Sequence, residues 1–114
     1  MVREAFVYLM SNVRNNVLYV GVTNDLLRRV AEHQLGRQPG FTQRYHCTKL
    51  VYYEVGDSIV AAIEREKQLK NWRRAWKDDL VAAMNPSWED LAPSIGLTPE
   101  VLAAIRRDPG GSPG

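Results

Sequence analysis

Tyr8, Tyr19, Arg29 and His33 stand within the first 33 of 114 residues and bring together two phenol hydroxyls, a permanently charged guanidinium and an imidazole. A hydroxyl or an imidazole can move a proton, and a guanidinium can neutralise phosphate oxygens, so the set suits attack on a phosphodiester. A metal ligand has to come from farther along the chain.

Two short runs rich in β-branched and aromatic residues, 5–10 and 17–22, flank turn material at 11–16 and predict an antiparallel hairpin. A turn centred between Val13 and Arg14 would place Tyr8 directly across from Tyr19. A slip of the register by two would keep both on one face. Thr23 or Asn24 can cap a following helix that ends at Gly36, with Leu26, Leu27, Val30 and Gln34 as its apolar stripe. Arg29 and His33, four residues apart, stack at the edge of that stripe, while Arg28 points the opposite way.

A Gly/Pro-containing loop leads to a third strand near 50–54, and Ser58 opens a helix expected to run from Ile59 to Met84, closed by the Asn85-Pro86 step. On this helix Ile59, Ala62, Ile63, Leu69, Trp76, Leu80 and Met84 project onto one arc, the face expected toward the sheet. Glu66 projects into the middle of that arc, whereas Glu64 projects away. A carboxylate there is costly unless it is paired or binds a cation. Lys70, four residues on, is one partner that would account for it, and a divalent cation is the other. One carboxylate with most of the coordination shell left to water and phosphate suits Mg²⁺ or Mn²⁺, and no Cys/His spacing suits zinc.

These residues resemble the GIY-YIG nuclease superfamily, whose two named tripeptides correspond to Phe6-Val7-Tyr8 and Tyr19-Val20-Gly21. The likeness continues through Thr23-Asn24-Asp25-Leu26, Arg29, His33, Phe41-Thr42, the 49–54 strand and Ala62-x-x-x-Glu66, covering about 4–91. It is nearest the small stand-alone bacterial members related to the UvrC N-terminal nuclease domain, which ties it to DNA repair. The resemblance implies Tyr8, Tyr19, Arg29, His33, Glu66 and, with variable spacing, Asn85 as catalytic residues, with Mg²⁺ or Mn²⁺ on Glu66. It implies a one-metal endonuclease acting on DNA, RNA remaining open, with Tyr8 or His33 taking the proton from water. Arg28, Arg37, Arg44 and Lys70 are the candidate nucleic-acid contacts. The competing readings are a binding module of the same fold that does not cut, and a protein-interaction domain working through 92–114.

A formal charge of +2 is too small to require a nucleic-acid partner. Its distribution says more, because residues 28–49 hold five Arg or Lys against one acidic residue, Glu32, beside the hairpin. A single cysteine, Cys47, excludes an internal disulfide and fits a reducing compartment, and no apolar run approaches the ~20 residues of a membrane span. With no signal-peptide pattern at Arg3-Glu4, the cytoplasm is the expected location, and a protein partner could supply target choice. Trp76 and Trp88 are expected in the core, Trp72 is left open, and Arg65, Lys67, Arg73, Arg74 and Lys77 are expected on a solvated face. The predicted fold is α+β: a three-stranded antiparallel sheet flanked by helices in the order ββαβα, with a short C-terminal helix. The expected organisation is a nuclease-like domain at 1–91, an extension at 92–107 and a Pro/Gly/Ser tail at 108–114.

Overall fold

A computed structural model describes residues 4–107; the expected tail at 108–114 lies outside them. Three antiparallel strands, β1 (Ala5–Ser11), β2 (Leu18–Thr23) and β3 (Lys49–Gly56), pair in the order β2-β1-β3. The central strand is buried on both faces, which is why its sequence runs apolar without alternation. Val7 and Leu9 enter one core with Val20, Val51 and Leu69, while Tyr8 and Met10 enter the other with Leu26, Val30 and Leu50.

The helices are α1 (Leu26–Gln34), α2 (Phe41–Arg44), α3 (Ile59–Asn71), α4 (Arg74–Met84) and α5 (Pro99–Arg107), with a 3₁₀ turn at Ala92–Ile95. Helices α3 and α4 cover the Val7/Leu9 face; α1, the 3₁₀ turn and α5 cover the Tyr8/Met10 face. The cap of α1 is Asp25, whose carboxylate accepts from the Arg28 N–H at 3.2 Å, one residue beyond the expected caps. Among the described residues no helix is long and apolar enough to cross a membrane.

The hairpin register differs from the expected one by two. Tyr8 faces Gly21 and Tyr19 faces Met10, because Ser11 is a buried strand residue paired with Leu18. The turn therefore starts at Asn12, whose side-chain oxygen accepts from the Asn16 and Val17 N–H groups at 3.1 Å each, with Asn15 in the left-handed region at φ 61°. Both tyrosines remain on one face, diagonally placed.

The single helix expected over 59–84 is two helices. Trp72 and Arg73 are extended, with ψ of 145° and 159°, and the chain changes direction there. The break lets Trp72 pack partly into the core and sends Arg74 back to the hairpin turn, where it donates to the Asn15 and Asn16 carbonyls at 2.6 and 2.9 Å. The projected arc fails accordingly: Ala62 and Leu69 are buried, but Ile59, Trp76 and Met84 are 46–48% exposed. Trp76 instead carries the Arg73 guanidinium on its ring, while Trp88 packs against the core as expected. Arg65 is likewise engaged, pairing with Glu54 at 2.7 Å and lying over Trp72, which fastens α3 to β3.

Residues 92–107 contribute to the core under the sheet. Ala92 and Leu97 are buried, and Leu102 and Ile105 pack against the same cluster. Arg37, an expected nucleic-acid contact, donates to the Ile105 and Arg106 carbonyls at 3.3 and 3.0 Å and so closes the C-terminal end of α5.

Candidate active site

Tyr8 projects from the middle of β1 toward α1, and Gly21 on β2 makes room for it. A Cβ at residue 21 would lie 2.5 Å from both Cζ and Oη of Tyr8 and 2.9 Å from Tyr19 Cε2, so only glycine fits under these rings. The Tyr8 hydroxyl then meets His33 Nε2 at 2.9 Å, and the other ring nitrogen, Nδ1, lies 2.9 Å from Thr42 Oγ1 on α2. Tyr19 completes the cluster, with its ring centroid 6.3 Å from Tyr8 and 5.7 Å, edge-on, from His33.

This is a hydroxyl–imidazole–hydroxyl chain buried from solvent, since Tyr8, His33 and Thr42 are exposed by 0%, 3% and 4%. A phenol is the better donor of the first pair and a neutral imidazole the better acceptor, so Nε2 accepts from Tyr8 while Nδ1–H donates to Thr42. Burial lowers the His33 pKa to about 4, helped by the positive charge of Arg29, so the ring is neutral near pH 7. Burial also holds the Tyr8 hydroxyl well above the ordinary phenol range, and the neighbouring Tyr19 and the Glu66 charge push the same way, while Arg29 opposes them.

Glu66 comes from α3, on the opposite face of the sheet from α1, and its charge is the weakest of the influences on Tyr8. The Glu66 side chain is 16% exposed and pairs with Lys70 at 3.2 Å; Glu64, on the same helix, is exposed. Arg29 is half-buried and held by Glu32 at 3.2 Å, whereas Arg28 reaches the same carboxylate at 3.6 Å from the solvent side. Among the described residues no three or more His, Cys, Asp or Glu side chains gather into a metal cluster. The donor set fits a hard cation held by one carboxylate with water filling its shell, and does not fit zinc.

Asn85, the sixth residue expected in the site, bonds to backbone. It is 5% exposed, and its amide donates to the Val51 and Glu89 carbonyls at 3.2 and 2.8 Å while its oxygen accepts from the Glu89 N–H at 3.0 Å. These bonds pin the loop after α4 to β3. Lys70 is half-exposed and turned to Glu66, and Arg44 is exposed with its guanidinium 5.6 Å from the Tyr45 ring centre. Thr42 was not singled out as a site residue from sequence. The signal would have been a hydroxyl nine residues past His33 on the loop that returns over α1.

Residues 4–79 match the GIY-YIG catalytic domain. The chain belongs to the GIY-YIG family. Among its relatives, a UPF0213 protein of Natronomonas pharaonis is 39% identical over 82 residues, covering 72% of this chain and 95% of that one. A UPF0213 protein of Vibrio cholerae is 39% identical over 80 residues, covering 69% and 78%. The solution NMR structure of a UPF0213 protein from Bacillus halodurans aligns with a TM-score of 0.49 at 25% identity, covering 76% of this chain and 92% of that one. By the domain match and these sequence relatives the chain is one of the small GIY-YIG proteins, and Tyr8, Tyr19, Arg29, His33, Thr42 and Glu66 all lie within the matched residues.

Proposed function

We propose that the protein is a metal-dependent endonuclease that hydrolyses DNA phosphodiesters with a single cation at Glu66. The observation that supports this reading is the buried Tyr8–His33–Thr42 chain, which lies within the residues that match the GIY-YIG catalytic domain. Mg²⁺ or Mn²⁺ bound there would supply Lewis-acid polarisation of the scissile phosphate and stabilise charge on the departing 3′ oxygen.

The chain's own residues move the proton. As water attacks phosphorus, its proton is taken by Tyr8 or His33, which the arriving substrate has to uncover because both are closed to solvent in the free protein; the P–O3′ bond breaks, leaving a 5′-phosphate and a 3′ oxygen that takes a proton from solvent. Thr42 keeps the imidazole in the accepting tautomer. Arg29 pairs with the non-bridging oxygens and neutralises their charge. Tyr19 orients the phosphate or the water.

The Glu66–Lys70 pair at 3.2 Å favours a second reading, a DNA-binding module in which Glu66 is merely neutralised. The two are separated with labelled single-stranded, duplex and branched DNAs and an RNA in Mg²⁺ or Mn²⁺. Wild type should cut, Glu64→Ala should match it, and Glu66→Ala should lose at least a hundredfold. A folded, metal-supplied wild type that binds without cutting would establish the module instead. The cytoplasm and a specificity-lending protein partner complete the proposal.

A further inference from the structure

The helical turn that supplies Thr42 also displays two rings outward. Phe41 and Tyr45, one turn apart, have centroids 4.7 Å apart and are 45% and 43% exposed. Phe41 stacks on Tyr19 at 6.0 Å and an interplanar angle of 28°, so an aromatic path runs from the catalytic tyrosines to solvent without a break. Arg44 lies over Tyr45 at 5.6 Å and gives this exposed end a positive charge. Isolated exposed aromatics need no explanation, but a contacting pair, its rings tilted by 47°, that continues a stack from Tyr19 and is flanked by arginine has the composition of a base-stacking surface.

The turn is built to hold this display. Gly40, at φ 100° and ψ −140°, starts it in a conformation L side chains rarely adopt, and Thr42 anchors its inner side to His33. A base inside a duplex already has both faces covered, so only an unpaired base can lie on these rings. We propose that Phe41 and Tyr45, with Arg44 beside them, bind an unpaired DNA base next to the scissile phosphate, directing cleavage to single-stranded or splayed DNA. This inference deepens the nuclease reading and rests on it for the word cleavage. The binding it describes is measurable without cutting.

The test uses the Glu66→Ala protein, which should not cut, and fluorescence anisotropy with two single strands of equal length and charge. One carries bases and the other an abasic run. The parent should prefer the base-bearing strand by about tenfold, and Phe41→Leu/Tyr45→Leu should lose most of that preference, with Phe41→Trp retaining it. Leucine keeps apolar bulk, and a matching thermal melt shows that the loss is not unfolding. If the leucine variant prefers bases as strongly as its parent, the platform is overturned, whatever the nuclease assay gives. In the Glu66-intact protein the same leucine pair should lower the ratio of single-stranded to duplex cutting by a similar factor. Absence of any cutting by wild type, with base preference intact and ring-dependent, would remove the nuclease reading and leave the platform as a binding site.

Discussion

The Tyr8 ring crosses β2 over Gly21 so closely that a methyl group at residue 21 would lie 2.5 Å from its hydroxyl oxygen. Tyr8 cannot swing clear, because it is fully buried against Tyr19 and His33. Gly21→Ala should therefore displace the Tyr8 hydroxyl from His33 and destabilise the fold by about 1–3 kcal/mol, the usual range for overpacking. Urea unfolding would measure the loss, and the ¹⁵N shifts of His33 would report the broken bond. Unchanged stability and unchanged imidazole shifts would mean that the ring has another place to go.

His33 makes stability depend on pH. Its pKa is about 4 when folded against an ordinary 6.5, so between these values the unfolded chain binds the extra proton. Stability has its full value above about pH 6.5, falls as pH drops toward 4, and levels below that, where both states are protonated. For this one group the loss from pH 7 to pH 4 should be about 3 kcal/mol. Chemical denaturation of wild type and His33→Asn at both values isolates it: the substitution should cost stability at pH 7 and recover most of the difference at pH 4. Parallel pH profiles for the two proteins would show that His33 is not the group responsible.

The sheet, its helices and the tyrosines' shared face were legible because hydrophobic period and turn residues act locally. The hairpin register was misplaced because whether Ser11 belongs to strand or turn is decided by its burial, not by its propensity. The break at Trp72-Arg73 has no glycine or proline to announce it and is held by distant contacts, Arg74 on the hairpin turn above all. Residue types, their order, the helix projection for Glu66 and the family resemblance nominate Tyr8, Tyr19, Arg29, His33 and Glu66 as candidates, but do not say what each touches. Thr42 on His33, Arg37 on α5 and Asn85 on β3 are side-chain bonds to partners 9 to 69 positions away, which no local spacing encodes.

Arg37 and Arg44 are both basic and both exposed, yet they should behave differently. Arg37 holds two terminal carbonyls of α5, so Arg37→Ala should loosen that helix by about 1 kcal/mol and leave the salt dependence of DNA binding unchanged. Arg44 makes no such bond to backbone among the described residues and stands over Tyr45 at the open end of the aromatic path. Arg44→Ala should weaken DNA binding and reduce the slope of log affinity against log salt by about one phosphate contact. Amide exchange over 99–107 and anisotropy at several salt concentrations distinguish the two. Equal salt slopes would remove Arg44 from the interface.

In the proposed site Lys70 and a divalent cation would compete for the same carboxylate. A half-exposed i,i+4 pair contributes only about 0.3–0.5 kcal/mol, so Lys70→Met should scarcely alter stability. Removing the ammonium frees Glu66 and leaves one positive charge fewer beside an arriving cation. The apparent affinity for Mn²⁺, read by electron paramagnetic resonance without DNA, should therefore rise severalfold in Lys70→Met and vanish in Glu66→Gln. Under the binding-module reading neither substitution would change Mn²⁺ binding, because Glu66 would then have no other partner than Lys70. The experiment thus tests the role of Glu66 independently of any choice of nucleic-acid substrate.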